Sequence, residues 1–213
     1  MTSWACPTWT LQSGRHMKKY VGTERTLREP LATNPDDHPK WRHWSNPNLE
    51  YDLVPGADLS LSTAHGGDFS GRDLRGINLS SARFQYMHLR HALLADANCY
   101  RANLQGTRFD FADLTRVNFI AAKLWCVSAQ DADFSHALLY DADLHDADLR
   151  GANLQDADLL GANLSRTDLR GATLGINVMQ CASFFRAKIS KEQIPFFMCH
   201  PRWGQWVDKI TID

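Results

Sequence analysis

The chain has 213 residues and a formal net charge of −1 at pH 7. A single domain is therefore expected, and no global basic field points to nucleic-acid binding. The sequence contains no apolar run long enough to span a bilayer, and polar residues and a proline interrupt the N-terminus where a signal peptide needs a continuous apolar core. These features argue against a membrane helix and predict a cytoplasmic protein.

The cysteines support the same location. Their number is odd and their positions are scattered through the chain, unlike a disulfide framework. We expect all of them to be reduced thiols with packing roles. They are Cys6, Cys99, Cys126, Cys181 and Cys199.

Residues 1–56 form the first segment and show no regular apolar pattern. The segment contains four of the seven tryptophans, Trp4, Trp9, Trp41 and Trp44. Five prolines between residues 30 and 55 interrupt any long element. We interpret this segment as an irregular N-terminal arm or cap, with one short helix near residues 23–29.

Residues 57–189 repeat with a period of five. Stepping by five from residue 59 to residue 189 gives 27 repeats without an insertion, and 22 of them have Leu or Phe at this central position. In most of the repeats, Ala stands two positions before the centre. Such a period fits neither an α-helix, in which it would spread Leu around the cylinder, nor a flat strand, in which successive Leu would change face. The chain must therefore turn a corner in each repeat and coil.

The corners have their own residue types. Asp or Asn immediately precedes the centre in 15 of the 27 repeats, where a short polar side chain can bond the backbone at a bend and form ladders between coils. Glycines fall between repeats, where a bend calls for a positive φ. They stand at positions 71, 76, 106, 151, 161 and 171.

The C-terminal tail covers residues 190–213. It opens with Ser190, Lys191, Glu192 and Gln193, a capping box that predicts a short helix. A β-helix ends in an open coil with unpaired backbone groups, so an apolar lid is expected at each end. We assign this tail a cap and dimerisation role, carried by Phe196, Phe197, Trp203 and Trp206.

The successive pentapeptides ADLHD, ADLRG, ANLQD, ADLLG and ANLSR resemble the pentapeptide-repeat family. The resemblance implies an all-β solenoid, a right-handed quadrilateral β-helix in which four pentapeptides make one coil. Residues 20 apart then stack at about 4.8 Å, and 27 repeats give about seven coils and a rod on the order of 30 Å long. Relatives of the family are reported to dimerise through the C-terminal end, so a homodimer is expected.

The sequence contains no pattern typical of an enzyme. The nine His have no zinc-ligand spacing, and no phosphate loop or nucleophile elbow is present. The many Asp recur wherever the repeat recurs, so corner structure explains them without a catalytic or calcium site. A convex, filled rod also lacks the deep pocket that ligand sites need. We expect no catalysis, no cofactor and no metal.

Surface charge is polarised along the repeat. Residues 70–130 contain eight bases and four acids, whereas residues 131–169 contain nine acids against Arg150 and Arg166, a net charge of −7. We call these nine acids the acidic band and interpret it as a surface that binds a partner protein. The band consists of Asp131, Asp133, Asp141, Asp143, Asp146, Asp148, Asp156, Asp158 and Asp168.

An apolar surface stripe follows the position after the centre, once in every fourth pentapeptide, through Tyr100, Ile120, Tyr140 and Leu160. Leu138 lies beside it. Such stripes are usually covered, either by the Trp-rich arm folding back, the alternative that we favour, or by a partner protein.

Two functions remain open at this point. The first is a non-catalytic DNA mimic, because acidic density on a narrow cylinder resembles duplex DNA to a basic groove. The family resemblance makes a type II topoisomerase such as gyrase the most concrete partner, since members of the quinolone-resistance type resemble DNA and occupy that enzyme. The second is a structural scaffold or effector rod that docks another protein through its arm, its tail or its apolar stripe. Neither function involves direct nucleic-acid or membrane binding.

Overall fold

The computed structural model describes residues 54–175, 183–199, 204 and 210–213, together with three strands nearer the N-terminus. Those strands are β1 (Arg25–Thr26), β2 (Lys40–His43) and β3 (Asn46–Asp52). Five further short strands follow within the repeat region and one comes after it. They are β4 (Ser62–His65), β5 (Arg83–Gln85), β6 (Asn153–Leu154), β7 (Thr173–Leu174), β8 (Lys188–Ile189) and β9 (Thr211–Ile212).

Four pentapeptides make one coil of the chain. Parallel bridges join equivalent residues of successive coils along the repeat region, from Asp58 with Asn78 to Asp168 with Lys188. Each coil has four sides. Side 1 is centred on residue 59 and every twentieth residue after it, and sides 2, 3 and 4 are centred in the same way on residues 64, 69 and 74. The predicted stacking of residues 20 apart is thereby confirmed.

Backbone hydrogen bonds between coils hold this register. The amide of Leu144 donates to the carbonyl of Asn163 in the next coil at 2.9 Å, and the amide of Asn163 donates back to the carbonyl of Ala142 at 2.9 Å. This pairing recurs along the rod, so most polar groups of the backbone are satisfied by a neighbouring coil.

A tight turn separates one side from the next. In the turn after Leu144, the amide of Ala147 donates to the Leu144 carbonyl at 3.1 Å. Asp146, the third residue of this turn, has φ of 60°. A positive φ at the third residue is the property of a type II turn. Gly adopts it without cost, as at Gly151 with φ of 69°, whereas other residues are held there by the ladder bonds on both sides.

The Asp and Asn residues before the centre form the predicted hydrogen bonds at the corners and between coils. Their side-chain oxygens accept the amide two residues further on, as Asp158 Oδ1 accepts from Leu160 N at 3.1 Å. On side 1 the amides of Asn78, Asn98 and Asn118 also bond to one another along the rod, at 3.2 and 3.3 Å. Corners and ladders therefore use the same side chains.

The interior contains the central residues and the small residues two positions before them. Leu144 and Leu149 have no exposed surface, and the rings of Phe109, Phe119 and Phe134 form an interior aromatic contact with centroids 6.1 to 6.2 Å apart. Narrow Ala side chains leave room for these larger groups, so the rod is filled by its own side chains.

The described cysteines differ in state. Cys99 is buried at a central position, and burial raises the pKa of its thiol to about 12. Cys199 is exposed and free. Cys126 is disulfide-bonded, so the expectation of reduced thiols is wrong for this residue.

Both ends of the rod receive an additional parallel strand. β1 pairs with β4 on side 2 of the first coil, and β9 pairs with β8 on side 3 of the last described coil. Strands at these places satisfy backbone groups of an otherwise open edge. The predicted short helix near residues 23–29 is therefore wrong at residues 25–26, because edge pairing outweighs local helix propensity.

The arm is also more regular than predicted. β2 and β3 form an antiparallel hairpin in which Trp41 lies opposite Tyr51, with a register shift between Arg42 and His43. The expectation of an irregular segment is wrong for these residues. The hairpin includes Pro47 within β3, so one of the prolines that indicated an interruption is accommodated in a strand.

The predicted helix of the tail is present. The capping box closes through Gln193 Oε1, which accepts from the Ser190 amide at 2.8 Å, and a 3₁₀ turn (Lys191–Gln193) leads into α1 (Ile194–Met198). The side-chain nitrogen of Gln193, Nε2, donates to the backbone carbonyls of Leu169 and Ala172, both at 2.8 Å. Phe197 is fully buried.

Replacing Leu144 by Asp will destabilise the rod by more than about 3 kcal/mol, because it buries an unpaired charge in the column. Asp143→Asn is the matched control, since the Asn oxygen keeps the bonds to the His145 amide and to Asn163. Urea unfolding followed by circular dichroism measures both. Equal losses would show that the inward and outward positions are wrongly assigned.

Cys99 will resist alkylation in the native protein at pH 8, because a pKa of about 12 leaves only about one thiol in 10⁴ as thiolate and the sulfur is buried. Cys199 serves as the control, since it is exposed and should react. Peptide mass spectrometry after a short iodoacetamide treatment distinguishes them. Rapid labelling of Cys99 without denaturant would contradict the packing described for side 1.

Candidate protein-binding surface

The acidic band encircles the rod. Its nine members stand on all four sides or at the corners between them, because consecutive pentapeptides occupy consecutive sides. The structure thus divides the band into groups with different surroundings. The number of acids in the sequence does not give the charge of any one side.

Three members of the band are paired with arginine, and a fourth contacts a histidine. Asp148 and Asp168 each pair with the Arg two residues further along, at 2.7 Å. Arg166 pairs with Asp146 at 2.8 Å, and His145 Nδ1 lies 2.8 Å from Asp143 Oδ1.

Two Arg–carboxylate pairs of the band are bidentate. Arg150 donates through Nε and a terminal nitrogen to the two oxygens of Asp148, and these bonds raise the pKa of Arg150. Partial burial works to raise the pKa of Asp168, but hydrogen bonds from the side chain and backbone of Arg170 outweigh it and the pKa lies below its usual value. Both carboxylates are therefore paired with an arginine on their own side of the rod.

This pairing has a local signal in the sequence. The residues before and after a centre lie on the same side of the rod, so a tripeptide Asp-Leu-Arg brings its two charges together. It occurs at residues 73–75, 148–150 and 168–170, and all three form an ion pair. Charge counting along the chain did not separate these carboxylates from the others.

Two further members, Asp131 and Asp133, belong to the part of the rod around side 4. Asp133 Oδ1 accepts from the Ser135 amide at 2.9 Å and from Asn153 Nδ2 at 3.0 Å. Asp131 stands at the corner before side 4 with φ of 53°, and its carboxylate lies against Gly151 of the next coil. Asp133 therefore has a structural role, whereas Asp131 is exposed like Asp141, whose carboxylate lies against Gly161 in the same way.

The last three members, Asp141, Asp156 and Asp158, come together around side 1. Asp158 lies on this side, and Asp156 and Asp141 stand at its two corners. Asp141 and Asp156 are exposed and Asp158 is half-buried. Within the described ranges, no basic side chain forms an ion pair with any of the three.

The apolar stripe occupies the same side. Tyr140 and Leu160 are 41% and 44% exposed, and Leu138 is 42% exposed. Tyr100 and Ile120 are half-buried. The structure therefore brings the C-terminal half of the stripe into the middle of the three carboxylates. We call Leu138, Tyr140, Leu160, Asp141, Asp156 and Asp158 the side 1 patch.

The N-terminal half of side 1 has the opposite charge character. The guanidinium of Arg101 lies over the Tyr100 ring, 5.1 Å from its centroid. At the other corner, Arg116 makes two bonds of 2.7 and 2.8 Å to Asp96 in the preceding coil.

Two of the four predicted cap and dimer residues, Phe196 and Phe197, lie within the described part of the chain. Phe197 is buried, and its ring meets Phe184 of the last coil edge to face, with centroids 5.5 Å apart. Phe196 is half-buried beside it. Trp203 and Trp206 lie outside the described residues. Phe197 is therefore committed to packing within its own chain.

Among the residues that the structure describes, no group of His, Cys, Asp and Glu is arranged to hold a metal ion. No helix in that part of the chain has the length and apolar character needed to cross a membrane.

A family profile described as pentapeptide repeats matches the chain in eight copies, over residues 73–110, 112–151 and 137–175. The repeat region belongs to the pentapeptide-repeat family. Proteins of this family form right-handed quadrilateral β-helices, in agreement with the four-sided coil described above. The family resemblance found in the sequence is thereby confirmed.

Solved pentapeptide-repeat structures resemble the chain at low identity. QnrB1, a plasmid-mediated fluoroquinolone resistance protein, is 22% identical over 64% of this chain and 74% of its own, with a TM-score of 0.34. A protein of the Arabidopsis thaliana thylakoid lumen is 24% identical over 57% and 71%, with a TM-score of 0.31. HetL of Nostoc sp. strain PCC 7120, involved in heterocyst differentiation regulation, is 23% identical over 61% and 81%, with a TM-score of 0.23. No curated protein sequence matches the chain.

Proposed function

We propose that this pentapeptide-repeat protein is a non-catalytic binding protein that docks a basic protein surface on the side 1 patch. The observation that supports this most directly is the combination on one side of Leu138, Tyr140 and Leu160 with three carboxylates that have no basic partner among the described residues. On the same coils, Asp146, Asp148 and Asp168 are paired with arginines.

The patch has the composition of a protein interface. Interfaces bury an apolar centre inside a polar rim, and aromatic residues such as Tyr140 are enriched at their centres. The rim carboxylates favour a partner with Lys or Arg around an apolar contact and speed its approach. A filled, convex rod is also better suited to surface docking than to enclosing a substrate.

Among basic partners we place a type II topoisomerase first. Asp141 and Asp156 stand at the two corners of side 1 and Asp158 lies on the side between them, so the three carboxylates concentrate negative charge on one flank of a narrow cylinder. A groove that receives duplex DNA is shaped and charged for such an object. The protein would then act as a DNA mimic that competes for the enzyme.

We also propose that the fold continues as a right-handed rod of nearly seven coils, with the arm and the tail as caps. The bonds from Gln193 to the carbonyls of Leu169 and Ala172 support a cap at the C-terminal end, and so does the burial of Phe197. The strand pairing of β1 supports one at the N-terminal end. Capping would keep the open coils from stacking on other molecules.

The purified protein should inhibit DNA supercoiling by gyrase at low salt, and inhibition should weaken as salt rises, because screening shortens the reach of the carboxylates. Replacing Asp141, Asp156 and Asp158 together by Asn should reduce inhibition about tenfold or more. Asn keeps the acceptor oxygen that bonds Leu160, so the corner is preserved. The assay is a titration of supercoiling against protein concentration.

The matched control replaces Asp58, Asp68 and Asp73 by Asn at the other end of the rod. It removes the same number of charges and should change inhibition by less than about twofold. Absence of any effect of the wild-type protein on gyrase or topoisomerase IV at low salt would refute the DNA-mimic proposal. A scaffold or effector rod would then be the better interpretation of the same patch.

A further inference from the structure

We propose that side 1 is also a self-complementary surface on which a second copy of this chain docks in the antiparallel direction. The inference uses the surface of the proposed function but does not depend on the identity of its partner. It assigns self-association to the flank of the rod, whereas the sequence predicted a homodimer through the C-terminal end.

The two halves of side 1 carry opposite charges at the same corner. The corner after side 1 contains Arg101, Ala121, Asp141 and Gly161 in successive coils, each with a positive φ. Arg101 and Asp141 are therefore separated by two coils, about 10 Å, with the small side chain of Ala121 between them. In the described part of the chain, neither charge has an ion-pair partner.

A two-fold axis that crosses side 1 at the coil of Ile120 relates the two copies and brings both charges into the contact. It exchanges the coil before Ile120 with the coil after it, so Arg101 of each copy faces Asp141 of the other. Tyr100 then faces Tyr140, and Ile120 faces Ile120. Two ion pairs thus flank a contact between two apolar stripes, as the symmetry of an isologous dimer requires.

The antiparallel direction follows from the position of the stripe. The stripe lies one residue after the centre of each side, so it is displaced toward one corner. An antiparallel pair keeps that displacement and lays the stripe on itself. A parallel pair reverses it and places Tyr100 against Asn98, Ile120 against Asn118 and Leu160 against Asp158, which would bury polar groups against three residues of the stripe. The antiparallel pair places only Leu160 of the stripe against a polar residue, Ser80, and Leu138 beside the stripe against Asn98.

The opposite corner tolerates this arrangement. It carries Asp96, Arg116, His136 and Asp156 in successive coils. Arg116 of one copy approaches Arg116 of the other, but each is already bonded to its own Asp96. His136 of one copy approaches Asp96 of the other.

The contact covers about four coils of one flank. Its area is therefore smaller than the roughly 800 Å² per partner of a standard interface, and we expect a dissociation constant in the micromolar range. The dimer would cover Tyr140 and Asp141, which belong to the side 1 patch. Self-association and binding of a basic partner are then mutually exclusive, and the dimer serves as a stored form.

Sedimentation velocity of the full chain from about 1 to 200 μM tests the proposal with charge reversals. Arg101→Asp alone and Asp141→Arg alone should each weaken dimerisation at least tenfold, because each places like charges opposite one another. An equimolar mixture of the two variants should regain the dimer, since both contacts again join Arg to Asp. The double variant should regain it as a homodimer.

Both substitutions suit their backbone positions. Asp occupies the equivalent corner with a positive φ at Asp131 and Asp156, and Arg occupies it at Arg116 and Arg166. Far-ultraviolet circular dichroism of each variant verifies the fold. Phe196→Asp is the control at the C-terminal end and should leave dimerisation unchanged.

A wild-type protein that stays monomeric at about 200 μM would overturn the proposal. So would charge variants that dimerise as the wild type does, or a mixture that does not recover. Loss of the dimer in Phe196→Asp alone would place the interface at the end of the rod instead. The gyrase assay separates the two proposals, since Arg101→Asp leaves the side 1 patch intact and should inhibit at least as well as wild type.

Discussion

The backbone ladder between coils is the interaction on which the rest of this structure depends. Each coil satisfies the amides and carbonyls of the coil before it, and the same pair of bonds recurs from coil to coil along the rod. The ladder holds many non-Gly residues at positive φ, a conformation that L side chains otherwise avoid. Since the period is five on every side, a slip of one residue would move all the central Leu out of the interior at once. The register is therefore fixed cooperatively.

The same residue type has two uses on this rod, and its surroundings decide which one prevails. An Asp before the centre accepts an amide at the corner, as Asp158 does, and an Asp-Leu-Arg tripeptide also ties that carboxylate to a cation. An Asp at a corner, such as Asp141, has no arginine in its own pentapeptide to pair with and is exposed to solvent. Formal charge in the sequence consequently overstates the charge available to a partner. The carboxylates available for binding are those that have no arginine partner nearby.

A solenoid of this kind exposes its flanks rather than its interior or its ends. Its interior is filled by Leu, Phe and Ala side chains, and its ends receive strands from the two flanking segments. Side 1 differs from the others because an Asn ladder along its N-terminal half gives way to Leu138, and exposed apolar residues follow. The change from ladder to apolar surface coincides with the change from basic to acidic corners. Both proposed contacts of side 1 arise from this one transition.

The sequence by itself determined the repeat, the inward and outward positions and the helix after Ser190, because each follows from local spacing and side-chain chemistry. The stacking of every fourth pentapeptide was expected from the family resemblance. The apolar residues at intervals of 20 also indicated the stripe on side 1. The strand at residues 25–26 was not predictable, since it exists only because an open coil edge lies beside it. Nor was the meeting of Asp141, Asp156 and Asp158 with Leu138, Tyr140 and Leu160, which come from neighbouring sides and two successive coils. Tertiary structure decided these features because they depend on which corners become neighbours and on which carboxylates find a cation nearby.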